Sequence, residues 1–286
     1  MSTTAPEDVD LVINTFERTY RRALEPGAVG LIREANRYRF ARCVVLVNNV
    51  ADREDAIGRG RLLLEQGAID ELHFVAEHLE CALQRTGLRR RELEPLLHYS
   101  DGPLVAAALS GSPWFLYWDP EARMREPCDW VAPALELMRA DARVMVSNPS
   151  WEAPDADGRL PGVEREAIDE LGGFALGHGF SDQVFLGRRS SFAAPIYGQR
   201  CIARITYPAA HKAHVFEARA GAYMRHHERL RATSLSCSYT TAAPAGRSSY
   251  APRGPLEAAR YARNAIALRA LHALPWRPAC LRHTWV

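Results

Sequence analysis

Short runs of β-branched and other apolar residues alternate with helical segments through the first half of this chain. The runs that predict strands are 42–50, 71–76, 114–119 and 143–148, and the segments that predict helices are 52–67, 78–87, 101–111 and 129–141. The run "RCVVLVNNV" is too apolar for a strand with one face in water, so we expect it to be buried on both faces. Strands and helices that alternate in this way form parallel pairs with helices on both faces of the sheet. The sequence therefore predicts an α/β fold with a mostly parallel central sheet.

Further segments flank this alternating region on both sides. Apolar residues recur at helical spacing over 9–24 and 28–40, which predicts extra N-terminal helices. On the C-terminal side we expect a helix at 215–230, a strand at 231–240, a Pro/Gly/Ser linker at 242–255 and a closing helix at 255–274. The predicted division is a helical extension (1–40), an α/β domain (41–240), and a linker with a C-terminal helix that packs on that domain (241–286).

Composition and cysteine spacing narrow the class of protein. The formal net charge is +2, which gives no long-range attraction to nucleic acid or anionic lipid. No stretch approaches the roughly 18 apolar residues of a membrane span, and the acidic N-terminus lacks the apolar run of a signal peptide. The six cysteines include no CxxC pair, and Cys43 and Cys81 lie in apolar segments that predict small core residues. We therefore expect a cytoplasmic protein with reduced thiols.

The stretch "WFLYWDPEARM" ends an apolar strand with two acids, Asp119 and Glu121. Residues i and i+2 of an extended chain point the same way and lie about 6.5 Å apart, so both carboxylates can converge on one divalent cation. Mg²⁺ is typically held by one or two carboxylates together with substrate phosphate oxygens. The alternative is a strand end followed by a solvated turn, in which Asp-Pro is common.

Polar residues also follow the first predicted strand, in "VNNVADRED". Asn48 and Asn49 are placed to read a base or a ribose by hydrogen bonds. Asp52 could also bind the nucleoside, but the favoured interpretation is that it caps the following helix. Asp101, at the start of "DGPLVAAALSG", has the same two interpretations.

Two further motifs carry titratable side chains. Asp182 in "GHGFSDQVFLGRR" is a candidate general base or acceptor-orienting group, and a helix N-cap, by Asp182 or equally Ser181, is the alternative. His211 and His214 in "HKAH" have the i, i+3 spacing of one helix face, and either histidine would complete a carboxylate metal site. Solvated surface histidines are the alternative.

Several common nucleotide and hydrolase motifs are missing. No GxGxxG follows the first predicted strand, and the chain has no GxxxxGK[ST] loop and no GxSxG elbow. A usual dinucleotide fold, a P-loop enzyme and an α/β-hydrolase are therefore not supported.

The order of these motifs resembles that of GT-A-fold, nucleotide-sugar glycosyltransferases, over about residues 40–220. The matching segments are "VVLVNN", "DGPLVAAAL", "WFLYWDPEA", "FSDQVFL" and "HKAH". The resemblance is to a bacterial, actinobacterial branch, and the use of arginine with a single lysine, Lys212, fits the codon bias of a GC-rich genome. Two motifs depart from the family pattern, since Asp-Pro-Glu replaces Asp-x-Asp and "SDQ" replaces the Glu-Asp pair of many inverting members.

The resemblance implies a Rossmann-like catalytic domain and a metal-dependent transfer of sugar to an acceptor hydroxyl. It implies Mn²⁺ or Mg²⁺ as cofactor and a nucleoside diphosphate sugar, UDP- or GDP-linked, as donor. Asp119, Glu121 and one of His211 or His214 would hold the metal, and Asp182 would serve the acceptor. The stereochemistry, inverting or retaining, stays open. The alternatives are a nucleotidylyltransferase and a non-catalytic nucleotide- or partner-binding protein, and the terminal helices are compatible with a homodimer.

Overall fold

The computed structural model describes residues 9–207, 209–241, 252 and 254–273. Its strands are β1 (Val9–Phe16), β2 (Arg42–Asn48), β3 (Glu71–Phe74), β4 (Trp114–Trp118), β5 (Ala122–Met124), β6 (Val144–Ser150), β7 (Ala167–Leu171), β8 (Phe174–Gly177), β9 (Val184–Arg188) and β10 (Leu230–Thr241). Its α-helices are α1 (Tyr20–Ala23), α2 (Ala28–Ala35), α3 (Arg53–Glu65), α4 (Val75–Thr86), α5 (Asp101–Ala108), α6 (Val131–Ala140), α7 (Pro161–Glu166), α8 (Arg189–Phe192), α9 (Phe216–His226) and α10 (Pro255–Ala273). Short 3₁₀ helices lie at Arg90–Glu92, Leu97–Tyr99 and Ile202–Thr206. No helix in these ranges has both the length and the apolar character that crossing a bilayer requires.

The strands follow the order β3-β2-β1-β4-β9-β6-β10-β8-β7, and β5 pairs with the end of β10. The four strands from β3 to β4 are parallel, whereas β9 enters antiparallel between β4 and β6, and β8 and β7 close the far edge antiparallel. The register places Phe16 beside Asn48 and Ile13 beside Trp118. The carboxyl ends of β1, β2 and β4 therefore lie at one edge of the sheet.

Two hydrophobic cores cover the two faces of the sheet. Leu11 and Ile13 of β1 belong to a core built with α2, α3 and α6, whereas Val12 belongs to the core built with α4, α5 and α9. All three side chains are fully buried, and burying each stabilises the fold by roughly 1.5–3 kcal/mol. Helices therefore pack on both faces, and the predicted α/β fold is confirmed.

The predicted helix over 9–24 is wrong in its first half, because residues 9–16 form β1 inside the sheet. This strand is buried on both faces, so it has apolar residues at positions 9, 12, 13 and 16. The same spacing is typical of one face of a helix. A helix begins only at Tyr20, and α2 occupies Ala28–Ala35 of the second predicted helix. The first strand of the sheet is thus β1, and the helical extension predicted for 1–40 does not describe residues 9–16.

The cysteines also differ from expectation. Cys128 and Cys237 form a disulfide, with Cα atoms 5.9 Å apart and a sequence separation of 109. Disulfides persist mainly in oxidising compartments, so this pair does not support the expectation of reduced thiols. Cys43 is buried as predicted, but Cys81 is exposed because it lies on the outer face of α4. Cys280 and most of the linker predicted at 242–255 lie outside the described residues.

Candidate functional site

Polar side chains from several elements meet at the carboxyl edge of the parallel strands. They are Asn14 of β1, Asn48 of β2, Asp101 of α5, Asp119 after β4, and Asp182 before β9. Burial raises the pKa of Tyr117 well above its usual value, and the charges of Asp119, Asp182 and Asp101 add to the rise. The Tyr117 phenol therefore lies among the three acids. Ligands of open α/β sheets bind beyond this same edge.

Asn48 and Asp101 form a buried hydrogen-bonded pair. Asn48 Nδ2 donates to Asp101 Oδ1 at 2.6 Å, and the Gly102 N–H donates to the same oxygen at 2.7 Å. Burial raises the pKa of Asp101 to about 6, although these two hydrogen bonds lower it. Ser100, not Asp101, occupies the N-cap position of α5. The structure thus joins two of the predicted nucleotide-binding residues.

The other two predicted nucleotide-binding residues lie in the loop between β2 and α3. Asn49 is exposed and has a φ of 50°, a left-handed conformation that Asn adopts more readily than most residues. Asp52 caps α3, since its Oδ1 accepts the Asp55 N–H at 3.0 Å. The capping interpretation of Asp52 is therefore confirmed.

The turn after β4 is built around Asp119. Asp119 Oδ1 accepts the Glu121 N–H at 2.7 Å, and the Ala122 N–H donates to the Asp119 carbonyl at 2.9 Å. Asp119 Oδ2 accepts no hydrogen bond from the described residues and is available to a ligand. Burial raises the pKa of Asp119 to about 6, and the nearby charge of Glu121 adds to the rise. The two acids are therefore near each other, but a turn, and not the extended segment that the sequence analysis assumed, connects them.

Asp182 lies beside Asp119 because β9 pairs antiparallel with β4. The Asp119 N–H donates to the Gln183 carbonyl at 2.7 Å, and Val184 pairs with Trp118. Burial raises the pKa of Asp182 to about 7, and the charge of Asp119 raises it further. Both acids nevertheless keep part of their surface accessible, as groups that line a cleft do. A strand, not a helix, follows Asp182, so the helix-cap alternative is wrong.

Glu217 is a third acid at this position that the sequence analysis did not identify. It lies in the first turn of α9, with its carboxyl group near the backbone N–H of Asp182. Burial raises the pKa of Glu217 well above its usual value, and the charge of Asp182 adds to this. A Glu in the first turn of an amphipathic helix looks like an ordinary surface residue, so the sequence carries no specific signal for it.

Asn14 is a second residue that the sequence analysis missed, because its segment was predicted to be helical. Its side chain is buried, and its Oδ1 accepts no hydrogen bond from the described residues. The amide packs on Gly102, where an added Cβ would lie 2.6 Å from Asn14 Oδ1. A buried acceptor without a donor at this edge suits a hydroxyl or an N–H of a ligand.

His211 and His214 lie in the turn ahead of α9 and are buried, not solvated. Three of their ring nitrogens have no hydrogen-bond partner among the described residues: Nε2 of His211, and Nδ1 and Nε2 of His214. Burial lowers the pKa of His214 to about 4, and the charges of Arg219, Arg204 and Arg200 lower it further. The surface alternative is therefore wrong, but a site next to three arginines is also unfavourable for a cation.

The described part of the chain contains no group of three or more His, Cys, Asp or Glu side chains arranged to hold a metal ion. The structure thus brings Asp119 and Glu121 together but does not bring His211 or His214 to them. Asp119 and Asp182 form no ion pair in the described residues, so their charges are uncompensated by a direct partner. Two close carboxylates of raised pKa at a cleft can bind a cation, accept a proton, or do both.

Comparisons with known proteins give structural likenesses only, since no protein-family model and no curated protein matches the sequence. The structure is similar to GalNAc-T7 with UDP, GalNAc and Mn²⁺, at 9% identity and a TM-score of 0.47 over 93% of this chain. This chain spans 48% of the length of that GalNAc-T7 structure.

Two further likenesses are to transferases of similar or greater length. The mannosyltransferase PcManGT from Pyrobaculum calidifontis, with GDP-Man and Mn²⁺, has 13% identity and a TM-score of 0.46 over 98% of this chain and 70% of that one. Mouse xyloside xylosyltransferase 1 has 12% identity and a TM-score of 0.39, over 79% and 84% of the two chains. All of these proteins are glycosyltransferases, but at this distance the likeness assigns no residue, metal or substrate to this chain.

Proposed function

We propose that this protein is a metal-dependent glycosyltransferase that moves a sugar from a nucleoside diphosphate sugar to an acceptor hydroxyl. The observation that carries the proposal is the pairing of Asp119 with Asp182 at the carboxyl edge of the sheet. Both acids have raised pKa values, and neither is in an ion pair within the described residues. The order of the motifs along the chain, which resembles that of GT-A-fold enzymes, supports a nucleotide sugar as the donor.

The acids after β4 fit a hard divalent cation, Mn²⁺ or Mg²⁺. Asp119 offers a free Oδ2, and Glu121 lies close enough for its charge to raise the pKa of Asp119. Two carboxylates suffice when substrate phosphate and water supply the remaining ligands. When bound, the cation supplies Lewis-acid stabilisation of the departing diphosphate. His211 and His214 are left out of this set because the described residues do not bring them to the acids.

The nucleoside would lie against the ends of β1 and β2. Asn48 is oriented by its hydrogen bond to Asp101, so its remaining amide groups have a fixed direction. Asn14 adds a buried acceptor without a donor, and Asn49 is exposed in the adjoining loop. Asp52 already caps α3, which leaves it a smaller part in nucleotide binding.

Asp182 is placed to take the proton of the attacking hydroxyl, or to orient that hydroxyl. A general base works best when its pKa lies near the working pH, and the pKa of Asp182 is raised to about 7 by burial and by Asp119. The carboxyl group of Glu217 lies near the backbone N–H of Asp182, beside the turn that carries Asp182. Asp182 and Glu217 therefore act together as the acid–base side of the site.

Calorimetric binding of UDP, GDP and their sugars, with and without Mn²⁺, tests the donor and metal assignments. We expect tight binding of one nucleotide family that depends on Mn²⁺. Asp119→Asn should weaken that binding about 10- to 100-fold, the effect of losing a charged ligand contact. Asp141, which is partly buried and pairs with Arg143 away from the site, provides the matched control Asp141→Asn, and this variant should bind normally. Full Mn²⁺-dependent binding by Asp119→Asn would contradict the proposal.

Turnover separates the proposed enzyme from its alternatives. Asp182→Asn should retain donor binding but lose sugar transfer and donor hydrolysis. A nucleotidylyltransferase would instead release pyrophosphate from a sugar phosphate and a nucleoside triphosphate. A non-catalytic binding protein would bind the donor and leave it intact in every assay.

A further inference from the structure

A cavity of about 800 Å³ lies between α2 and the segment that follows β4. One wall is α2 itself, with Leu31 and Ile32, and the opposite wall holds Trp118, Pro120 and Met124. Leu31 is 68% exposed, which is unusual for a large apolar side chain that borders a cavity. The body of the cavity is therefore apolar and one of its walls is open to water.

This cavity adjoins the acid-bearing turn. Trp118, Pro120 and Ala122 line the cavity, whereas Asp119 and Glu121 do not. The wall of the cavity therefore excludes the two acids of the turn.

Two arginines meet at one end of the cavity. Arg22 Nη2 donates to the Pro120 carbonyl at 3.1 Å, and Arg123 Nη1 donates to the same carbonyl at 2.7 Å and to the Ala122 carbonyl at 2.9 Å. Within the described residues neither guanidinium forms an ion pair with a carboxylate, including the carboxylates of Glu25 and Glu34 that also border the cavity. Burial lowers the pKa of Arg123, and the charge of Arg22 lowers it further. The two guanidinium groups are therefore close together, and the Asp119 carboxylate is near both of them but forms no ion pair with either.

The same end of the cavity has a surplus of hydrogen-bond donors. Each guanidinium keeps N–H groups beyond those that bind the backbone carbonyls. An acceptor that carries negative charge would satisfy these remaining donors.

We propose that this cavity binds a small amphiphile whose anionic head, a carboxylate or a phosphate, lies at Arg22 and Arg123. Its apolar chain would run along α2 against Leu31, Ile32 and Met124. The helix is eight residues long, about 12 Å, which matches a chain of about ten carbons. Planar guanidinium groups bind carboxylates and phosphates in a bidentate manner, so either head group fits. The proposal does not rest on the proposed transferase activity.

Binding of decanoate, decyl phosphate and 1-decanol below their micelle concentrations, followed by calorimetry, tests this site. A cavity-filling variant is available because Gly30 lines the cavity and a Cβ added there meets no atom within 4 Å. We expect Gly30→Leu to fold normally, since Leu favours a helix more than Gly does, and to reduce binding of the charged probes at least tenfold. Gly58→Leu is the matched control, since Gly58 is an exposed glycine of α3 with equal space around it. Equal binding by Gly30→Leu and the wild type would overturn the proposal.

The head-group assignment has its own test. Arg123→Gln should weaken decanoate and decyl phosphate binding roughly tenfold or more and should change 1-decanol binding less than twofold. Inorganic phosphate alone should bind much more weakly than decyl phosphate if the apolar wall contributes. Equal affinity for decanol and decanoate, or no effect of Arg123→Gln on decanoate, would overturn the anionic head. The assay contains neither Mn²⁺ nor a sugar donor, so its outcome is separate from that of the proposed function.

Discussion

Asp10 carries a fully buried charge at the end of β1 opposite the candidate site. Its carboxylate accepts hydrogen bonds from Arg42 Nη2 at 2.7 Å, from Arg189 Nη2 at 2.7 Å, and from the Ser112 N–H at 3.0 Å. Burial raises its pKa, but these donors together bring the pKa below its usual value. We expect Asp10→Asn to lower the free energy of unfolding by about 3–5 kcal/mol, because it leaves the buried Arg189 without its counter-charge. Urea unfolding followed by circular dichroism measures this.

The matched control at the residue scale is Glu77→Gln. Glu77 pairs with Arg53 on the surface, where both side chains are about half exposed. An exposed pair of this kind contributes about 0–1 kcal/mol, so the control should unfold almost like the wild type. A similar small effect of Asp10→Asn would mean that the Asp10 network does not hold the amino end of β1.

Single residues of the site were predictable to different degrees. Asp119 was a candidate because an acid that follows an apolar strand lies at the carboxyl edge of a parallel sheet. Asp182 was a candidate because it precedes a short apolar run, and the antiparallel pairing of that run with β4 places it beside Asp119. Glu217 and Asn14 could not be identified, since the first resembles a surface helix residue and the second lies in a segment with helical spacing. The buried arginine neighbours of His214 depend on tertiary packing, which no local pattern shows.

Among the elements, β10 depends on a covalent link as well as on its partners. Cys237 of β10 is bonded to Cys128, which lies between β5 and α6. Closing a loop of about 110 residues restricts the unfolded chain, and native disulfides of this kind typically contribute about 2–4 kcal/mol. We expect the double variant Cys128→Ser/Cys237→Ser to lose that much stability and to become insensitive to dithiothreitol.

The control at this scale is Cys43→Ala, which removes a buried free thiol and leaves the disulfide in place. Its stability should still fall when dithiothreitol is added. Mass spectrometry of a non-reduced digest should find the linked peptide that contains both Cys128 and Cys237. If dithiothreitol does not change the stability of the wild-type protein, the Cys128–Cys237 disulfide is absent in solution.

Elements were predictable where a short apolar run alternated with helical segments or where a helix cap was evident. Asp52 and the glycine after α4, Gly87, mark helix ends that the structure confirms within one residue. β1 was not predicted as a strand, because its apolar residues also match the spacing of one helix face. The short antiparallel strands β5, β7 and β8 span three to five residues, too few for any period to emerge.

For the whole molecule, the clustered acids predict an unusual dependence of stability on pH. The pKa values of Asp101, Asp119 and Asp182 rise from 3.8 to about 6, about 6 and about 7. Between about pH 4 and pH 7 the folded protein therefore holds protons that the unfolded chain has released, so stability falls as the pH rises. His214 acts in the opposite direction over the same window, since its pKa falls from 6.5 to about 4.

These three acids, together with Glu217, whose pKa is also raised, outweigh one histidine, so the metal-free protein should be less stable at pH 7.5 than at pH 4.5. We expect a loss on the order of 3 kcal/mol, read from urea midpoints in EDTA. Asp182→Asn should make the decline smaller by removing one acid of raised pKa. Mn²⁺ should restore stability at pH 7.5 much more than at pH 4.5, because the cation competes with protons for the same carboxylates. Stability that rises steadily from pH 4.5 to 7.5 without metal would show that the three acids are not clustered in solution.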